Sequence, residues 1–137
     1  STQPLERGSN NYYSIIQGKF KMLTFLMFFY LMDECYDKYQ DDDLGMFLSS
    51  ISPEIWEDGM PTERCVYEDW RRLNKDIVVN EKNLIEISAY FLEYYEKEHS
   101  YHLARAKEFL RKTANDAMVR RATVRAQAMC NKHHYKE

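Results

Sequence analysis

From Met22 to Met32 the chain runs through eleven residues that are apolar except for Thr24. That is well short of the roughly eighteen residues that suggest a membrane-spanning helix. The segment before it is polar and no small-residue cleavage pattern follows it, which argues against a secretory leader. Read as a helix, the run is hydrophobic nearly all round, and such a helix belongs in the middle of a bundle. With only four Gly and three Pro in 137 residues, little interrupts helix elsewhere. The length suits one hydrophobic core and one domain.

The pattern predicts an all-α bundle of about four to five helices. The first helix is expected over Tyr12 to Tyr39, after a flexible N-terminus (residues 1–11) that is polar, carries Pro4 and Gly8, and is a frayed end or a non-native extension. Asp41-Asp42-Asp43-Leu44-Gly45 reads as a loop into a short helix, Met46 to Ser50, whose start the aspartates complement. Ser52 to Pro61 holds Pro, Gly and Trp56 and is the most irregular segment. A helix over Thr62 to Leu73 follows, with Val66 and Trp70 on one face. Asn80 is expected to cap a helix over Glu81 to Glu98, with Leu84, Ile87, Phe91 and Tyr94 as its apolar stripe. The last helix is expected to run unbroken from Tyr101 to Lys132. Its stripe of Leu103, Ala106, Leu110, Ala114 and Ala117 dwindles, so its far end is expected to project from the body. Ile77-Val78-Val79 is the only β-like triplet.

Charge divides the chain along its length. From Asp33 to Asp69 twelve acids face Lys38 and Arg64, a net of −10; from Tyr101 to Glu137 nine Lys and Arg face three acids, a net of +6. In one reading the two regions pack together and neutralise each other. In the other the acidic region stays open and steers a basic partner. Tyr36, Tyr39, Phe47, Trp56, Tyr67 and Trp70 lie among the carboxylates, as anchors at an interface would or as ordinary core residues would.

Few motifs carry chemistry. There is no P-loop, G-x-S-x-G or H-E-x-x-H. Glu96-x-x-His99 has the spacing of a di-iron ligand pair, but a second copy and two further glutamates are missing. Glu34-x-x-Asp37 and Glu93-x-x-Glu96 have the spacing used by magnesium-dependent helical nucleotide pyrophosphatases, which would require all four carboxylates to converge. His102, His133 and His134 form no ligand set. Cys35, Cys65 and Cys130 are too widely spaced for a zinc or redox pair and read as reduced thiols of a cytoplasmic protein; Cys65 could be a nucleophile only with a histidine beside it. Arg105, Lys107, Arg111, Lys112, Arg120, Arg121 and Arg125 could meet a nucleic-acid backbone, but they spread around the helix and lack interleaved aromatics for base stacking. No metal site, cofactor or catalytic residue is expected.

The central pattern Asp43-Leu44-Gly45-x-x-Leu48, Trp56-x-Asp58-Gly59-x-Pro61 and Tyr67-x-Asp69-Trp70 resembles one in small bacterial proteins similar to immunity proteins of polymorphic-toxin and contact-dependent inhibition systems. The resemblance covers roughly Asp42 to Trp70. It implies a small cytoplasmic protein, frequently acidic in this class, that neutralises a toxin, commonly a nuclease, by binding it. A nuclease must present a basic cleft, and carboxylates with aromatic anchors can occupy it in place of the substrate. Asp41, Asp42, Asp43, Trp56, Glu57 and Asp58 are the expected contacts. The alternatives are a magnesium-dependent helical enzyme and a nucleic-acid-associated regulator using the last helix.

Overall fold

The computed structural model describes residues 10–135, with side chains from residue 21 onward. Residues 1–9 of the expected flexible terminus lie outside the described residues. Six helices follow in order: α1 (Asn10–Tyr39), α2 (Asp42–Ile51), α3 (Arg64–Leu73), α4 (Leu84–His99), α5 (Ala104–Lys112) and α6 (Asp116–His133). No strand occurs among the described residues, and Ile77-Val78-Val79 is loop. None of their helices is long and apolar enough to cross a membrane.

The apolar run sets the architecture as its all-round hydrophobicity implies. Between Met22 and Met32 every residue but Leu23 is buried, and α1 touches all five other helices. Phe28 is the hub, with ring centroids 5.1 Å from Trp70 on α3, 5.2 Å from Phe91 on α4 and 6.5 Å from Phe47 on α2. The one polar residue in the run is used too: the Thr24 hydroxyl accepts the buried Trp70 indole N–H at 3.1 Å. A buried indole needs such a partner.

Helix α1 begins at Asn10 rather than Tyr12, so residues 10 and 11 are helical and not part of a flexible terminus. Helix α3 begins at Arg64 rather than Thr62, and the helix expected from Tyr101 begins at Ala104. Three further differences change the packing. Helix α2 begins at Asp42, not Met46, because Leu44, Phe47, Leu48 and Ile51 form a helical stripe that reaches the core. Helix α4 begins at Leu84. Asn80 does not cap it; its side chain accepts the N–H groups of Lys82 and Asn83 and holds a separate turn.

The third correction concerns the expected single C-terminal helix, which is two. The break falls at Thr113-Ala114-Asn115, where the Asn115 side chain accepts the Met118 N–H at 3.0 Å and starts α6 afresh. The interruption resets the helical phase. Ala117 is exposed, and the buried stripe of α6 is Val119, Ala122, Thr123, Ala126 and Met129. That stripe lies along α1 in the most extensive helix pairing of the fold, so the last helix does not project. Small residues there bring the two backbones close, which recovers contact that the lost side-chain area would have supplied.

Candidate docking surface

The acidic region folds into two populations. Asp33 and Glu34, near the C-terminal end of α1, are held by α6: Arg121 grips Glu34 with two hydrogen bonds of 2.8 and 2.9 Å, and Arg125 meets Asp33 at 3.0 Å. The Arg125 guanidinium also lies 4.2 Å from the Tyr30 ring centroid, a cation–π contact. The neutralising reading therefore holds for these two acids. It does not extend to Asp41, Asp42, Asp43 or Glu57, which have no ion-pair partner among the described residues.

Helix α2 positions the first half of the surface. Its buried stripe turns Asp42, Asp43, Met46 and Ser49 outward, and Met46 is 70% exposed. Asp41 is the half-buried residue before the first turn, and its carboxylate adds to the burial that pushes the Cys35 thiol up to about 12. Between α1 and α2 runs an open groove bounded by Asp33, Tyr36, Asp42, Met46 and Ser49. Gly45 forms its floor, where a Cβ would stand 2.7 Å from the Tyr36 ring.

The second half is the loop from Ser52 to Pro61. Pro53, Gly59 and Pro61 are buried, so the segment between them arches outward with Ile55 54% and Trp56 55% exposed. It is irregular in backbone yet densely tied. The Tyr30 hydroxyl donates to Glu54 at 2.8 Å, and the Trp56 indole donates to Thr62 at 2.8 Å. Asp58 spends both oxygens within the fold, one accepting the Met60 N–H at 2.9 Å and the other pairing with Arg64 at 3.0 Å. Burial, and then the Glu54 carboxylate, raises the Tyr30 hydroxyl far above the ordinary range for tyrosine.

The expected contact residues thus form two clusters, one at the start of α2 and one in the loop that follows it, with the ten-residue helix, about 15 Å long, between them in sequence. Met46 and Ile55 join them as exposed apolar neighbours that sequence reasoning missed. Met46 was legible only with α2 begun at Asp42, which puts it one turn along the acidic face. The interleaved aromatics divide differently from the interface reading. Phe47, Tyr67 and Trp70 are core, Tyr36 is half-buried, and only Trp56 and Tyr39 are exposed.

Several of the other candidate groups have structural partners. Glu93 and Glu96 close on the Lys107 ammonium at 2.7 and 2.5 Å, and Glu34 is held by Arg121, so the four carboxylates do not meet. Among the described residues no three or more His, Cys, Asp or Glu side chains form a group able to hold a metal ion. His99 stacks on the Tyr95 ring at 4.5 Å. Of the seven basic residues read as a possible phosphate-binding set, Lys107, Lys112, Arg120, Arg121 and Arg125 are engaged in ion pairs, on two separate helices. No protein family, curated protein or solved structure matches the chain.

Proposed function

We propose that the chain is an immunity-type protein that binds and neutralises a cognate bacterial toxin, a nuclease by the charge argument, in the cytoplasm. The observation that carries this is the division of charge: most cations of α5 and α6 are consumed inside the fold, while Asp42, Asp43 and Glu57 have no ion-pair partner among the described residues and lie near exposed Met46, Ile55 and Trp56 in sequence. Unpaired carboxylates around apolar anchors suit a basic cleft, with the anchors supplying contact area and the charges supplying orientation and speed. Asp41 contributes to the same field from its half-buried position. Asp58 contributes shape, since its oxygens hold the loop.

The test is kinetic. A photo-crosslinker at position 46 or 56 would capture the partner in the native host, and the purified pair would be followed by stopped flow. The triple reversal Asp42→Lys, Asp43→Lys, Glu57→Lys is expected to slow association by roughly tenfold or more at low salt, and the wild-type rate is expected to fall as salt rises. An unchanged on-rate in the triple variant would remove this surface from the interface.

A further inference from the structure

We infer that the C-terminal turn, His133 to Tyr135, is a hook that fixes the Ser52 to Pro61 loop in its arched shape, making Tyr135 a positioning residue for Trp56 and Glu57. Helix α6 ends at His133, and the next residue, His134, adopts the left-handed conformation (φ 50°, ψ 57°) while its N–H still reaches the Cys130 carbonyl at 3.0 Å. A left-handed residue at a helix end reverses the chain direction. Tyr135 is thereby carried back over the loop, where its hydroxyl donates to the Gly59 carbonyl at 2.7 Å across 76 positions of sequence.

The loop is shaped to receive it. Gly59 has φ +73°, a conformation that side chains rarely adopt, and a Cβ at that position would stand 2.6 Å from both the His133 ring and the Tyr135 hydroxyl. The absent side chain is thus the seat of the hook. Gly59 also closes the loop's own turn, its N–H reaching the Trp56 carbonyl at 3.0 Å, so holding Gly59 holds the residue that presents the indole. Lys132, His133 and Met129 line the opposite wall of the depression under Ile55, Trp56 and Glu57. A flexible loop loses conformational freedom on binding, and one already fixed loses less. The benefit to toxin binding rests on the docking surface proposed above; the mechanical claim does not.

Hydrogen exchange read by mass spectrometry on the full chain tests the claim. In Tyr135→Phe, which loses only the hydroxyl, amides of residues 54–60 are expected to exchange roughly fivefold faster, the effect of one ordinary hydrogen bond, and faster still in Tyr135→Ala. Amides of α1 should keep their wild-type rates. His134→Gly, which keeps the left-handed turn available, should leave the loop protected. Loop exchange within twofold of wild type in Tyr135→Ala would overturn the hook, as would equal acceleration of loop and α1, because the turn would then be ordinary core. A loosened loop with undiminished partner association would keep the hook and remove the loop from the docking surface.

Discussion

Leu44, Leu48, Tyr67 and Trp70, all within the central pattern that runs from Asp43 to Trp70, are buried. Gly45 admits the Tyr36 ring, Gly59 admits the C-terminal turn, Asp58 ties the loop and Asp69 accepts the Tyr95 hydroxyl at 2.6 Å. At the scale of single residues, the pattern mostly specifies a fold. Of its residues only Asp43 and Trp56 stay open for a partner, and the remaining contacts are expected outside it, at exposed positions such as Asp42, Met46, Ile55 and Glu57. The cysteines give a second residue-level expectation. Cys35 is fully buried with its thiol pushed up to about 12 by desolvation and then by Asp41, whereas Cys65 is exposed. Thiol reagents should modify Cys65 in the native protein and leave Cys35 untouched until unfolding. Because an unfolded Cys35 ionises near its ordinary 9.0 and the folded one near 12, the unfolded state loses its proton first. Stability should therefore fall as pH rises from 9 to 12, by on the order of 4 kcal/mol from this group, and Cys35→Ala should flatten the slope in denaturant titrations.

Helix ends decide more here than helix interiors. The last two helices have no Pro or Gly between them; Thr113 and Ala114 close the first on the Phe109 carbonyl, and the Asn115 side chain on the Met118 N–H starts the second. Asn115→Ala is expected to cost about 1 kcal/mol in chemical denaturation, the usual loss for an N-cap. A shift below about 0.3 kcal/mol would show that α6 packing alone sets the break, against the normal cap magnitude. Helix α5 starts differently. Its own first turn has no acid, and the Leu103 N–H instead donates to Glu96 of α4 at 2.8 Å, while the other Glu96 oxygen meets Lys107. One glutamate serves as a cap borrowed from the neighbouring helix and as half of an ion pair, which explains why local sequence carries no start signal for α5.

Across the whole molecule, the acids divide into those neutralised by the last helix and those left open on the surface. Arg121 and Arg125 knit α6 to Glu34 and Asp33, while Asp42 and Asp43 look outward from α2. The double reversal Asp33→Lys, Glu34→Lys would put four cations together along the α1–α6 seam and should lower the melting temperature clearly. The double reversal Asp42→Lys, Asp43→Lys should change stability by less than about 1 kcal/mol, since exposed unpaired charges contribute little to folding and the only expected loss is with the α2 dipole. Equal destabilisation by the two pairs, measured side by side by thermal unfolding, would contradict this division. The same contrast bears on the binding proposal, because only the second pair is free to change association without changing the fold.

The sequence by itself determined the helical class, the central place of α1 and the inward faces of α3 and α4, because an all-round apolar run and a 3.6-residue period leave few other ways to bury that surface. It also marked Asp41, Asp42, Asp43, Trp56, Glu57 and Asp58 as contacts, of which Asp41 is half-buried and Asp58 ties the loop. It could not say which acids were free. That depended on which carboxylates the antiparallel pairing of α1 and α6 brought within reach of Arg121 and Arg125, partners 87 and 92 positions away. Nor could it tell core aromatics from exposed ones in the acidic region, since Phe47 and Trp56 look alike until α2 and the loop are seated on α1. The shape of the loop was decided last, by Tyr30 from the first helix and Tyr135 from beyond the sixth. Such contacts between distant parts of the chain leave no local period or spacing, because each exists only once the rest of the fold has brought its two ends together.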